Sequence, residues 1–273
     1  MQDDVFSPDD PRAGLVRVAH RLAGAARGET LRHFRRNILS DDKSAGGSRF
    51  DPVTEADRAS ERAMRAILAA ERPDDAILGE EYGTVAGRSG LTWVLDPIDG
   101  TRGYLCGTPT WGVLVSVADA GGPLYGVIDQ PYIGERFSGG WSSASLSGPL
   151  GQRALRTRDH RPLAEAILLS TFPEVGTETE RDAFHAVARR ARLTRYGLDC
   201  YGYALLAAGQ VDLVIEAGLQ PYDVQAPIAV ITAAGGLVTD WQGRPAHHGG
   251  RILAAANPRI HAEALAILGQ APD

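Results

Sequence analysis

One short run, WVLDPIDGTRG at Trp93–Gly103, restricts the fold more than any other stretch of the chain. Trp93, Val94 and Leu95 read as a short buried strand, and Pro97, which lacks a backbone donor, is expected to stop it. Asp96 and Asp99 then stand three residues apart at the strand's exit, where a turn can aim both carboxylates at one point. Two carboxylates held close in a partly buried place repel each other. Either one keeps a proton or both hold a cation.

The rest of the chain favours the cation. Glu80 and Glu81 form a second acidic pair at another strand end, after Gly79. Asp57 falls in the first turn of a helix that Thr54 is expected to cap, with Asp in place of the usual Glu of a capping box. Asp223 opens a later helix just after Pro221. Each helix-start carboxylate taken singly reads as a cap contributing about 1 kcal/mol. Together with two acidic strand exits they read as a hard-cation site built from oxygen donors.

The chain has 273 residues, enough for a sizeable core in one large domain or two closely associated ones. A formal charge of −6 gives no sign of the basic face that nucleic-acid binding needs, and no nucleic-acid partner is expected. An anionic substrate would then require local positive charge, which divalent cations supply. The two cysteines, Cys106 and Cys200, have no metal-type spacing, so a disulfide framework is not expected and a reducing cytoplasm is. Residues 1–10 lack the features of a signal peptide, and no apolar run reaches the ~20 residues of a membrane span.

Helical spacing of apolar residues predicts one long helix over 11–39, interrupted near Gly28, and a second from about Thr54 to Glu71. Strands are expected at Ala76–Leu78 and Leu91–Leu95, then a hairpin around the GGP turn within 111–131 and a third strand at Glu135–Gly140. The Ser/Gly-rich stretch 142–151 reads as a surface turn or boundary, dividing an α+β half (1–145) from an α/β half (146–273). In the second half, strands at Ala166–Ser170, Val211–Glu216, Leu237–Asp240 and Ile252–Ala255 alternate with helices over 178–192, 200–208, 223–234 and 258–268. The expected class is a layered α/β (α+β) arrangement.

GEE, then DPIDGT, then PYD before an AAGG segment resemble the magnesium-dependent inositol monophosphatase superfamily, over about Lys43 to Asp240. The resemblance implies an αβαβα sandwich of the inositol monophosphatase and fructose-1,6-bisphosphatase type, active as a homodimer on a small phosphorylated substrate with two or three Mg²⁺. It implies that Glu80, Asp96 and the Ile98 carbonyl hold one ion, and Asp96, Asp99 and Asp223 a second. Asp57 would pair with Thr101 to activate water, with Glu80 counted among the catalytic residues and Asp51 in support. Phosphate ester hydrolysis calls independently for such a site, since paired ions can neutralise the phosphoryl oxygens, supply an aligned water and stabilise the leaving alkoxide. Backbone N–H groups of Gly100 and Thr101 would bind a phosphate oxygen. Neither cysteine lies in an anion-cradling loop, which excludes a phosphocysteine route.

Arg102 after the threonine, IDQPYIGERF, the segment TRYGLDCYGYALLAAGQVDLVIEAGLQPYD and the use of PYD are similar to the histidinol-phosphate phosphatase branch. This implies L-histidinol phosphate as substrate, with Arg102 among the substrate-binding residues. Glu216 would take the substrate ammonium, assisted by Asp199 or Asp129. Gln225, Ala226 and Pro227 replace more apolar residues expected after PYD, and residues 44–50 lengthen the loop after Lys43. Inositol 1-phosphate, fructose 1,6-bisphosphate and a nucleotide 3′-phosphate are the competing substrates. A metal- or phosphate-binding regulator without turnover is the alternative of another class, and the intact set Asp57, Glu80, Asp96, Asp99, Thr101 and Asp223 opposes it. His247 and His248 are expected in a solvated turn with their rings apart. Tyr104 and Trp111 are expected in the core, and Arg189, Arg190 and Arg192 on a solvated face.

Overall fold

A computed structural model describes residues 7, 10–36, 40–42 and 52–271. Asp51, Lys43 and the stretch 44–50, singled out above, lie outside the described residues. Five layers stack in the order helix, sheet, helix, sheet, helix, and three apolar clusters fill the spaces between them.

The first helix, Pro11–His33, is continuous through Gly28 and ends six residues earlier than its periodicity predicts. Phe34 leaves the helical region with ψ 133°, and Arg35 then adopts a positive φ of 57°. The second helix, Glu55–Glu71, starts as its sequence predicts. Thr54 caps it, and the Thr54 N–H donates to Asp57 Oδ2 at 2.8 Å in a reciprocal capping box. Leu22, Ala23 and Ala26 of the first helix and Met64 and Leu68 of the second pack with Trp93, Val115 and Val127 on the outer face of an eight-stranded sheet. That sheet includes Ala76–Gly79, Thr92–Asp99, Gly112–Asp119, Gly122–Gln130 and Glu135–Gly140.

Two strand expectations are corrected. Pro97 does not stop its strand, which runs from Thr92 to Asp99; instead the pairing with Gly112–Asp119 shifts register between Asp96 and Asp99. A bulge accommodates the missing donor. The Ser/Gly-rich stretch is also more ordered than its composition indicates. It forms the hairpin Ser143–Gly148 and Gly151–Ala154, which extends the sheet to its edge around an exposed Leu150.

The inner face of this sheet is covered by the helices Asp199–Ala207 and Pro221–Ala233. The second of these lies very close to the strands. A side chain at Gly126 would meet the Ala226 carbonyl oxygen at 2.5 Å, and one at Gly139 would meet Val230 Cα at 3.1 Å. Pro227, inside this helix, offers no N–H to the Asp223 carbonyl. Beyond these helices lies a five-stranded sheet containing Ile167–Ser170, Leu193–Tyr196, Leu213–Leu219, Leu237–Thr239 and Gly250–Ala255. The parallel edge strand Leu193–Tyr196 is absent from the sequence reading, because its side chains lie at an exposed edge and show no apolar alternation. The helices Glu178–Ala188 and Pro258–Leu268 close the stack.

Tyr104 and Trp111 are buried against Phe34, as expected of core aromatics, and the Tyr104 hydroxyl donates to the Thr30 carbonyl at 2.7 Å. Arg189, Arg190 and Arg192 are exposed. His247 and His248 do not splay: their ring centroids are 4.2 Å apart, because the chain turns here rather than extends. Among the described residues, no helix is long and apolar enough to cross a membrane.

Candidate active site

The site forms where the first sheet's signature strand meets the N-termini of the two central helices. Asp96 is buried in the bulge, and its Oδ1 accepts the Ile98 N–H at 3.0 Å. Asp99 follows at the strand end and accepts the Cys200 N–H on Oδ2 at 2.6 Å. Asp223 enters in the first turn of Pro221–Ala233, where one of its oxygens accepts the Gln220 N–H at 2.7 Å. One carboxylate oxygen each from Asp96, Asp99 and Asp223 lie within 4.8 Å of one another.

The electrostatics of this cluster are severe. Burial, then the Glu80, Asp99 and Asp223 carboxylates, push Asp96 well above the usual carboxylate range. Burial, then Asp199 and Asp223, do the same to Asp99. Such a group is stable with protons or with cations, and an all-oxygen donor set of this charge fits a hard divalent ion such as Mg²⁺. Asp96, Asp99 and Asp223, with Glu80 beside Asp96, are the residues that can hold it.

These residues line a cavity of about 320 Å³. Ile98, Gly100, Thr101 and Arg102 form one wall of it, and Asp199 and Glu216 face them with Thr171, Phe172 and Tyr222. Gly100 turns the chain with φ 82°, a conformation glycine adopts without penalty, and a Cβ there would stand 2.8 Å from Asp199 Cγ. The Thr101 hydroxyl donates to the Ile98 carbonyl at 3.0 Å rather than to Asp57. Asp57 does not line the cavity. It is fully buried, with Oδ2 taken by Thr54 and Oδ1 without a hydrogen-bond partner, and burial raises it to about 6.

Glu216 sits on the strand Leu213–Leu219 and is buried. Its Oε1 accepts the Thr171 N–H at 2.6 Å and hydroxyl at 2.8 Å, and Oε2 accepts from Ser170 Oγ at 3.2 Å. Burial raises it to about 7 against these bonds. Asp199 holds φ 46°, a left-handed strain at a non-glycine residue, and burial raises it to about 6 while Arg102 pulls the other way. The Arg102 guanidinium lies 5.3 Å from the Phe172 ring centroid.

Asp129 is not part of this site. It is buried between Arg27, at 2.6 Å, and Arg136, at 2.6 Å, as the centre of a structural ion triad. Three residues escape the sequence reading. Thr171 and Phe172 lie after a strand with no motif to mark them. Glu61 is buried under the Glu80 segment, and its signal was present: a charged residue in helical register with buried Asp57, Met64 and Leu68.

Layering and an acidic, oxygen-lined cavity define a phosphatase-type α/β protein. The chain belongs to the inositol monophosphatase family, whose model matches residues 13–272. It is 41% identical over 231 residues to the bifunctional phosphatase IMPL2, chloroplastic, of Arabidopsis thaliana, covering 83% of this chain and 64% of that one. A histidinol-phosphatase of Streptomyces coelicolor is 35% identical over 266 residues, 93% of this chain and 97% of its own. An inositol monophosphatase from Zymomonas mobilis superposes with a TM-score of 0.84 at 36% identity, covering 95% of this chain and 99% of the other. The fold is therefore that of the family, and its members are phosphoric monoester hydrolases.

Proposed function

We propose that the protein is a Mg²⁺-dependent phosphatase that hydrolyses L-histidinol phosphate to L-histidinol and phosphate, working in the cytoplasm as a homodimer. The observation that carries the substrate assignment is the second acidic pole of the cavity. The cavity carries two more carboxylates, Asp199 at the edge of the cluster beside Asp99, and Glu216 on the strand Leu213–Leu219. A substrate with phosphate at one end and ammonium at the other offers each pole its complement. A neutral polyol would offer Glu216 hydroxyls but no counter-charge. The similarity to the Streptomyces enzyme supports the same reading. The Zymomonas neighbour favours the second one, inositol 1-phosphate, at the same metal centre.

In this reading Glu80, Asp96, the Ile98 carbonyl, Asp99 and Asp223 hold the ions, two or three at work. Bound there, Mg²⁺ supplies charge neutralisation for the phosphoryl oxygens, a lowered water pKa and stabilisation of the leaving alkoxide. The chain's own groups do the remaining work. Gly100, Thr101 and Arg102 hold the phosphate end, and Glu216 with Asp199 holds the cationic end. Thr101 would orient the attacking water; Asp57, buried behind the cavity wall, would take the proton only by relay, once the Thr101 hydroxyl turns from the Ile98 carbonyl to the partnerless Asp57 Oδ1. A carboxylate raised to about 6 is matched to general-base work near neutral pH. As the new P–O bond forms, the P–O bond to the alcohol breaks and the alkoxide takes a proton from solvent. The two halves of the chain divide this labour: 1–145 supplies most ion ligands, and 146–273 supplies Asp223 and the substrate's cationic pocket.

The test is phosphate release from L-histidinol phosphate and inositol 1-phosphate side by side, with Mg²⁺ and with chelator. Preference for histidinol phosphate, lost in chelator, supports the reading. Preference for the inositol ester overturns the substrate and leaves the metal chemistry standing.

A further inference from the structure

Glu80 stands on a short segment, Gly79–Gly83, and something must hold that segment still if the carboxylate is to meet Asp96. Its own backbone gives one anchor, the Glu80 N–H donating to the Leu95 carbonyl at 3.2 Å. A second comes from the helix Glu55–Glu71. Glu61 is wholly buried there, and its two oxygens accept the next two backbone donors: Glu81 N–H on Oε2 at 2.7 Å and Tyr82 N–H on Oε1 at 3.2 Å. Arg65, one turn later, pairs with Glu61 Oε1 at 2.7 Å and also donates to the Gly83 carbonyl. Arg62 donates to the Tyr82 hydroxyl at 2.7 Å. Gly79 is bare at the point of contact, because any Cβ there would overlap the Glu61 carboxylate.

We propose that Glu61 is a positioning residue for the metal centre, a buried tether that fixes the Glu80 segment and so sets where Glu80 delivers its carboxylate. The proposal rests on the reading of Glu80 as a metal ligand. Its chemical content is specific. A carboxylate buried with one arginine partner is retained here because it accepts two adjacent backbone N–H groups that a neutral apolar residue would orphan. The same helix carries Asp57 four residues earlier, on the same buried face, so one rigid element places both the base and the segment that bears Glu80.

The test measures Mn²⁺ binding by calorimetry in the absence of substrate, alongside the melting temperature in chelator, for Glu61→Gln, Gly79→Ala and Asp96→Asn. Glu61→Gln keeps an oxygen acceptor and the shape of the side chain, and Gly79→Ala pushes the intact carboxylate off its donors. Both are expected to weaken Mn²⁺ binding, by about 10- to 100-fold for the more disruptive of the two. The K0.5 for Mg²⁺ in turnover should rise likewise, with kcat recovering at high Mg²⁺. If both variants bind Mn²⁺ as wild type does and merely melt earlier, Glu61 is structural and the proposal falls. Should Asp96→Asn also bind Mn²⁺ like wild type, the metal reading itself falls; weak binding by Asp96→Asn alone overturns only the tether.

Discussion

Cys200 gives its backbone N–H to Asp99 at 2.6 Å, and this one bond ties the central helix Asp199–Ala207 to the strand exit that carries the acidic signature. Asp223 is brought to the same place by a neighbouring helix, so the cluster is assembled from both halves of the chain and is repulsive by construction. Folding alone gathers carboxylates that would rather stay apart.

The first prediction concerns the cation's effect on stability. Asp96 and Asp99 are raised in the folded state. Their favourable contribution is therefore full below the ordinary carboxylate pKa and is lost as pH rises through the folded values. In chelator, the melting temperature should fall as pH rises above the ordinary carboxylate range, and the gain on adding Mg²⁺ should grow over the same rise. Thermal melts across that rise check it, and a Mg²⁺-independent melting temperature at the alkaline end would refute it.

Asp96→Asn should separate stability from activity. Removing one carboxylate relieves the repulsion, so the chelated variant melts higher than wild type on the alkaline side, where the cluster ionises. Losing a shared ligand forfeits about 4 kcal/mol of transition-state stabilisation, so Mg²⁺-dependent phosphate release drops about a thousandfold. Phosphate assays and melts on one preparation measure both. Unchanged turnover sinks the metal site.

Glu216 makes a pH-dependent prediction about substrate choice. It is raised from 4.5 to about 7, so it is anionic, and able to take an ammonium, only toward the alkaline side. The KM for histidinol phosphate should rise below about pH 7, by up to about tenfold per pH unit. Glu216→Gln should abolish that slope while leaving the KM for inositol 1-phosphate little changed. Equal effects on both substrates would show that Glu216 does not read the cation.

Asp129 predicts the reverse pattern, stability without activity. Asp129→Ala leaves Arg27 and Arg136 facing each other without their counter-ion and should cost about 3 kcal/mol in denaturant unfolding. The kcat/KM of the folded enzyme should stay as it is, since Asp129 does not line the cavity. A selective loss of turnover would return Asp129 to the substrate pocket.

Much of this site is readable before any fold is known, because its chemistry is local. DPIDGT places Asp96, Asp99 and Thr101 within six residues, and Thr54 with Asp57 announces its own helix start. Pro97 misleads because a rule about ladders ignores bulges, and the bulge is what lets Asp96 and Asp99 serve one site. Leu193–Tyr196 and the 143–154 hairpin are edge elements held by backbone pairing, which leaves little pattern in the side chains. Glu61, Thr171 and Ser170 act through contacts 20 to 46 residues away in sequence, a separation that periodicity does not carry.

The close seat of the Pro221–Ala233 helix on Gly126 and Gly139 has a bearing on how such a site can drift. Those glycines set the height at which the helix rides over the sheet, and Asp223 rides with it. One methyl group added at either floor position would lift the helix like a shim. The metal ligands would be untouched in identity yet respaced, so that ion preference could be retuned by mutations that no inspection of the ligands themselves would reveal.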